Sequence, residues 1–164
     1  LTIIFTKRKI NINSLNVSVT EVKGVSRFTI VIETSKDMID NIVKQIRKLI
    51  DVLGAFVYEE DQIFYQEIAL YKVPKYAIVD GKSIEDLVSK SGARILVVET
   101  DYMIIEKTGK AKETHDLYQK LEPFGLLEFI RSGRVAISKS TRKTEAYIKE
   151  LEASNSNKLS IKDF

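Results

Sequence analysis

The stretch Arg8-Lys9-Ile10-Asn11-Ile12-Asn13-Ser14-Leu15-Asn16-Val17-Ser18-Val19-Thr20 leads through Glu21-Val22-Lys23-Gly24 into Val25-Ser26-Arg27-Phe28-Thr29-Ile30-Val31-Ile32-Glu33. Leu15, Val17 and Val19 alternate with Ser14, Asn16 and Ser18, the period of a half-buried strand. Phe28, Ile30 and Ile32 repeat that period in the second run, and the short link containing Gly24 makes the two runs a hairpin. Upstream, Leu1, Ile4 and Phe5 lie at helical spacing over residues 1–8, with Lys7, Arg8 and Lys9 at the end where cations complement the helix dipole. Downstream, Ser35 is a candidate N-cap for a helix over 36–50 whose apolar face is Ile39, Ile42, Val43, Ile46, Leu49 and Ile50. Asp51 to Glu59, with Val52, Leu53, Ala55, Phe56 and Val57, reads as the strand that follows. The order is helix, strand, strand, helix, strand, which becomes βαββαβ when one strand is placed before it.

The same order recurs beyond Glu59-Glu60-Asp61, where consecutive acidic residues between apolar runs must sit in water and mark a boundary. Phe64 to Val73 reads as a strand ended by Pro74. Ser83 opens a short helix, with Asp86 three residues later in an approximate capping box, and Gly92 closes it. Arg94–Glu99 and Tyr102–Lys107 form a second hairpin, and a helix over 112–122 is stopped by Pro123 and Gly125. Apolar segments follow at Leu126–Ile130 and Val135–Ile137. From Thr141 a weak helical pattern in Ala146, Tyr147, Ile148 and Leu151 gives way to Ser154-Asn155-Ser156-Asn157, a flexible composition. The expectation is an α+β chain of two βαββαβ units, over 1–61 and 62–140, with a helical or flexible tail over 141–164.

Composition narrows the chemistry. The 164 residues are 44% hydrophobic and 30% charged, with seven Gly and two Pro, as in a folded globular chain. Zero Cys and one His exclude structural zinc, thiol nucleophiles, iron-sulfur clusters and disulfides, which need thiolates or several imidazoles. A reducing, cytoplasmic setting fits, and no apolar run reaches the roughly 18 residues of a membrane span. The net charge of +3 is local: residues 1–24 carry Lys7, Arg8, Lys9 and Lys23 against Glu21, leaving 22 basic and 22 acidic groups elsewhere. A nucleic-acid-binding module using Lys7, Arg8 and Lys9 is the alternative reading, though a phosphate-tracking protein usually shows a longer basic stripe.

No catalytic constellation emerges. His115, the only imidazole, sits between Glu113 and Asp116 on an amphipathic helix, as a solvated histidine does. Thr108-Gly109-Lys110 lacks the upstream glycine of a phosphate loop. The acidic residues nowhere fall into a metal-ligand spacing. What stands out is polar: Asn11 and Asn13 bracket Ile12 where helix turns into strand. An amide offers both a donor and an acceptor, which suits either satisfying loose backbone groups or holding the ammonium and carboxylate of an amino acid.

The same residues carry a resemblance. Arg8 to Val17, then Thr20-Glu21 and Ser26-Arg27-Phe28-Thr29-Ile30, closely resembles Arg-Gly-Tyr-Asn-Ile-x-Ser-Leu-x-Val, Thr-Glu, Ser-Arg-x-Thr-Ile of the small, regulatory subunit of acetolactate synthase (acetohydroxyacid synthase). Lys44–Leu53, Glu67–Val73 and Leu121–Ser138 also resemble that family, in the same order. The resemblance implies an N-terminal ACT domain and a ferredoxin-like C-terminal domain. It implies a homodimer formed through ACT domains, with branched-chain amino acids, chiefly valine, bound at the dimer interface. It further implies a non-catalytic chain that activates a separate catalytic subunit and confers feedback inhibition. Thiamine diphosphate, FAD and magnesium belong to that catalytic subunit, and this chain is expected to carry no cofactor. Asn11, with Ile12 beside it, matches the effector-binding asparagine, while Lys9 and Ile10 replace Gly-Tyr.

The family's first ACT strand and its Asn-x-x-Gly effector loop would lie upstream of Leu1. The sequence is therefore expected to be an ACT domain lacking its first strand, with half of the effector site supplied from outside this stretch.

Overall fold

The computed structural model describes residues 2–76, 78–79, 82–141, 146 and 148–150. It begins with helix α1 (Thr2–Lys7), whose exit is set by backbone hydrogen bonding. Ile10 N–H donates to the Phe5 carbonyl at 3.1 Å and Lys9 N–H to that of Thr6 at 3.0 Å. Lys9 adopts φ 55 between them. This is a Schellman ending, with Lys9 in the left-handed position that glycine usually takes and Ile10 returning to pack beside Phe5.

The expected hairpin forms as β1 (Ile12–Val19) and β2 (Ser26–Ile32), antiparallel, with Ile12 opposite Ile32 and Val17 opposite Phe28. The register shifts between Ile12 and Ser14, so Asn13 is the extra residue of a β-bulge. The hairpin's apolar face is covered only in part. Ile12, Ile30 and Ile32 pack with Phe5, Ile42 and Ile46, whereas Leu15, Val17, Val19 and Phe28 are exposed. Sequence alternation identified this face correctly, but α1 and α2 cover only the end that carries Ile12.

Helix α2 runs from Lys36 to Ile46 and buries Ile42, Val43 and Ile46. Ser35 occupies the N-cap position without a side-chain hydrogen bond, its carbonyl instead accepting from Ile39 N–H at 3.1 Å. The helix ends before the expected Ile50. Lys48 and Leu49 close tighter turns onto Gln45 and Ile46, and the Arg47 guanidinium draws the chain back by donating twice to the Ala55 carbonyl, at 3.0 and 2.6 Å. Ile50 is left fully exposed. The strand expected over 51–59 does not form. Val52 and Ala55 pack on the core beside α2, but the segment finds no partner strand among the described residues, and without a ladder an apolar run has no reason to be a strand.

A short 3-10 turn (Glu60–Gln62) precedes the longest strand, β3 (Ile63–Pro74). A small hairpin of β4 (Ile78–Val79) and β5 (Lys82–Ser83), absent from the sequence reading, leads to α3 (Ile84–Ser91). Ser83 caps that helix, accepting from Asp86 N–H at 3.3 Å, and Gly92 ends it at φ 61. Then come β6 (Arg94–Val98), β7 (Tyr102–Gly109), α4 (Ala111–Leu121), β8 (Glu128–Arg131) and β9 (Val135–Ser138).

These strands form one antiparallel sheet in the order β6-β7-β3-β8, with β9 also paired to β3. That order, with helices joining β3 to β6 and β7 to β8, is the ferredoxin-like arrangement. Its core is Ala69, Tyr71 and Val73 of β3, Met103 and Ile105 of β7, Ile84 and Val88 of α3, Leu117 and Leu121 of α4, and Phe124. The described residues divide into two compact units, one formed by those up to Phe64 with those from Ile137 onward, the other by those between Tyr65 and Ala136. Ala146 and Ile148–Glu150 are helical, while Tyr147, Leu151 and the Ser154–Asn157 stretch lie outside the described residues.

Candidate functional site

The polar corner at the entrance to β1 is assembled from three pieces of local structure. The Schellman ending of α1 turns the chain so that Asn11 is exposed immediately before the strand. Ile12 turns its side chain into the core, pairing across the sheet with Ile32. The bulge then redirects Asn13, whose Nδ2 donates to Glu33 Oε1 at 3.1 Å, one residue past the end of β2. Asn11 Nδ2 in turn reaches Asn13 Oδ1 at 3.5 Å. Two amides and a carboxylate thus line one exposed edge. The arrangement can bind a small zwitterion's polar groups.

In the neighbouring basic cluster Lys7 and Lys9 are exposed and Arg8 is half-buried. Arg8 lies along α2, donating from Nε to Gln45 Oε1 at 3.4 Å and from Nη1 to Met38 Sδ at 3.6 Å.

Glu67, buried on β3, is bracketed by Arg131 Nε at 3.1 Å and Arg134 Nε at 3.7 Å, and Arg134 stacks over the Tyr65 ring at 4.2 Å. Glu106 accepts from the Thr108 hydroxyl and from Arg94, and that Thr108 bond together with Arg94 holds its carboxyl below the usual carboxylate range despite burial. Tyr71 donates to the Thr114 carbonyl at 2.6 Å, and burial pushes its phenol up to about 12. His115 stacks on Tyr118 at 5.7 Å on the exposed face of α4, as the sequence suggests for a solvated histidine. At Thr108-Gly109-Lys110 the helix N-terminus holds a carboxylate of its own chain, Lys110 N–H donating to Glu113 Oε2 at 2.7 Å. Among the described residues no group of three or more His, Cys, Asp and Glu is placed to hold a metal ion. No described helix is long and apolar enough to cross a membrane.

Comparison with known proteins agrees with this architecture. Residues 1–54 match the family described as the AHAS small subunit-like ACT domain, and residues 66–140 match the small subunit of acetolactate synthase. The acetolactate synthase small subunit of Mycolicibacterium smegmatis is 38% identical over 85% of this chain and 81% of its own length. The chain belongs to the acetolactate synthase small-subunit family.

The small subunit of Bacillus subtilis is 32% identical over 87% of this chain and 83% of its own. The crystal structure of the Thermotoga maritima small subunit superposes with a TM-score of 0.74 at 28% identity, covering 86% of this chain and 88% of that one. In this chain Lys9 stands where the family motif has glycine, and the left-handed backbone there gives that glycine a physical meaning. Asn11 and Asn13 were legible in sequence as a polar pair. Glu33 was not, because it lies 20 residues from Asn13 and only hairpin register brings them together.

Proposed function

We propose that this chain is a regulatory subunit that activates the catalytic subunit of acetolactate synthase and transmits feedback inhibition by valine. The observation that carries the reading is the bulged Asn11-Asn13-Glu33 corner at the entrance to β1 of an ACT-family domain, the place where the family motif puts its effector asparagine. In this reading valine binds beside Asn11 at an interface between two ACT domains. Ile12 anchors the strand that presents Asn11. The chain performs no chemistry of its own, and thiamine diphosphate, FAD and magnesium act on the catalytic subunit in the cytoplasm. Inhibition then follows by linkage: valine bound more tightly to one state of the assembly shifts the population toward the less active state.

The test is reconstitution. Adding the small subunit to the catalytic subunit raises acetolactate formation, and valine lowers it again. Asn11→Ala weakens valine inhibition more than it weakens activation, since the amide faces solvent and supports no core contact. Valine sensitivity unchanged in that variant removes Asn11 from the site. The nucleic-acid reading has less support, because Arg8, central to the basic cluster, is engaged along α2.

A further inference from the structure

We infer that Asn13 and Glu33 set the polarity of the Asn11 amide, so that the site takes the ammonium end of its effector at Asn11 Oδ1 and rejects acids of the same carbon skeleton that lack it. This rests on the regulatory reading above and names two positioning residues within it. A carboxylate side chain accepts hydrogen bonds and donates none, so Glu33 Oε1 obliges Asn13 to present its NH2 group, at 3.1 Å. That orientation turns the Asn13 carbonyl toward Asn11, and its oxygen receives Asn11 Nδ2 at 3.5 Å. With its donor turned inward, Asn11 leaves its own carbonyl oxygen facing out.

The relay therefore converts one carboxylate into an outward acceptor two amides away. The negative charge of Glu33 biases the same corner toward a cation. An α-ammonium satisfies both demands, whereas a carboxylate oxygen at that atom meets an acceptor with no proton between them. The bulge at Asn13 is what makes the relay possible, because it adds the residue that aims the amide at Glu33. A regulator built this way separates an amino acid from the 2-oxo or 2-hydroxy acid of identical skeleton.

The experiment measures, by calorimetry on the intact small subunit, the dissociation constants of L-valine and of (S)-2-hydroxy-3-methylbutanoate. In the wild type valine binds more tightly than the hydroxy acid. Glu33→Gln frees Asn13 and Asn11 to flip, and the ratio falls by about tenfold, the scale of one charge-assisted hydrogen bond. Adding Asn13→Asp to Glu33→Gln restores the ratio to within about twofold, because the new carboxylate at position 13 only accepts, from the new amide at position 33 on one side and from Asn11 on the other. A ratio unchanged in Glu33→Gln with valine still bound overturns this inference alone. Loss of valine binding in Glu33→Gln that the double variant does not recover overturns it too, and recovery supports it. Absence of valine binding in the wild type overturns the regulatory reading and this inference with it.

Discussion

Lys9 is the only non-glycine with positive φ among the described residues, at φ 55 in the closing turn of α1. A left-handed conformation costs an L-residue about 1 kcal/mol relative to glycine, so Lys9→Gly raises stability by about that amount, read as a higher denaturant midpoint at unchanged slope. Motif and structure meet at this residue: glycine is absent but the backbone that favours it is retained, because Ile10 and Phe5 still hold the Schellman contact. Tyr71 makes a second residue-scale case. Its folded pKa of about 12 lies above the ordinary 10.0, so the folded state keeps its proton longer than the unfolded chain does. The stability this contributes is complete below pH 10 and is lost as pH rises toward 12. Tyr71→Phe costs about 1 kcal/mol at neutral pH through loss of the bond to the Thr114 carbonyl, and its unfolding curve is flatter than the wild type's across that alkaline window. An equal alkaline slope in both proteins would refute the assignment.

Elements are defined here by their ends. Helix α4 starts where Gly109 lets the Glu113 carboxylate fold back onto Lys110 N–H. A Cβ at Gly109 would lie 2.8 Å from Glu113 Oε2 and 3.3 Å from its Cβ, so Gly109→Ala displaces the carboxylate and costs about 1 kcal/mol, the worth of a helix cap. Glu113→Ala costs a similar amount, and the double variant costs little more than either alone, because both remove one interaction. A thermodynamic cycle measures this directly, and additive costs would show that Gly109 matters for another reason. Ser83 and Gly92 mark the ends of α3 as their types suggest, since capping depends on residues within one turn. The end of α2 is different. Nothing within 36–50 signals a stop at Ile46, and the cause is Arg47 reaching Ala55.

At the scale of the whole molecule, the two units differ in how much they bury. The described core of Tyr65–Ala136 contains ten buried residues drawn from β3, β7, α3, α4 and the turn at Phe124, against Phe5, Ile42 and Ile46 in the first unit's cluster. Local opening costs least where few apolar groups are buried, so amides of β1 and β2 exchange hydrogen faster than those of β3 and β7 under native conditions. Equal protection in the two strand pairs would contradict this. The exposed Leu15, Val17, Val19 and Phe28 belong to the same picture, a sheet face of which α1 and α2 cover one end.

The sequence by itself determined what is local: the two hairpins, the helices, the caps of α3 and the family motif around Asn11. Each depends on periodicity or on residues within a turn of one another, where side chain and backbone settle the outcome together. Tertiary structure alone decided that 51–59 is not a strand, that Glu67 sits between Arg131 and Arg134, and that Glu33 meets Asn13. A ladder needs a partner and a buried charge needs its counter-ions. These are supplied from many residues away, by a register that one bulged residue can reset.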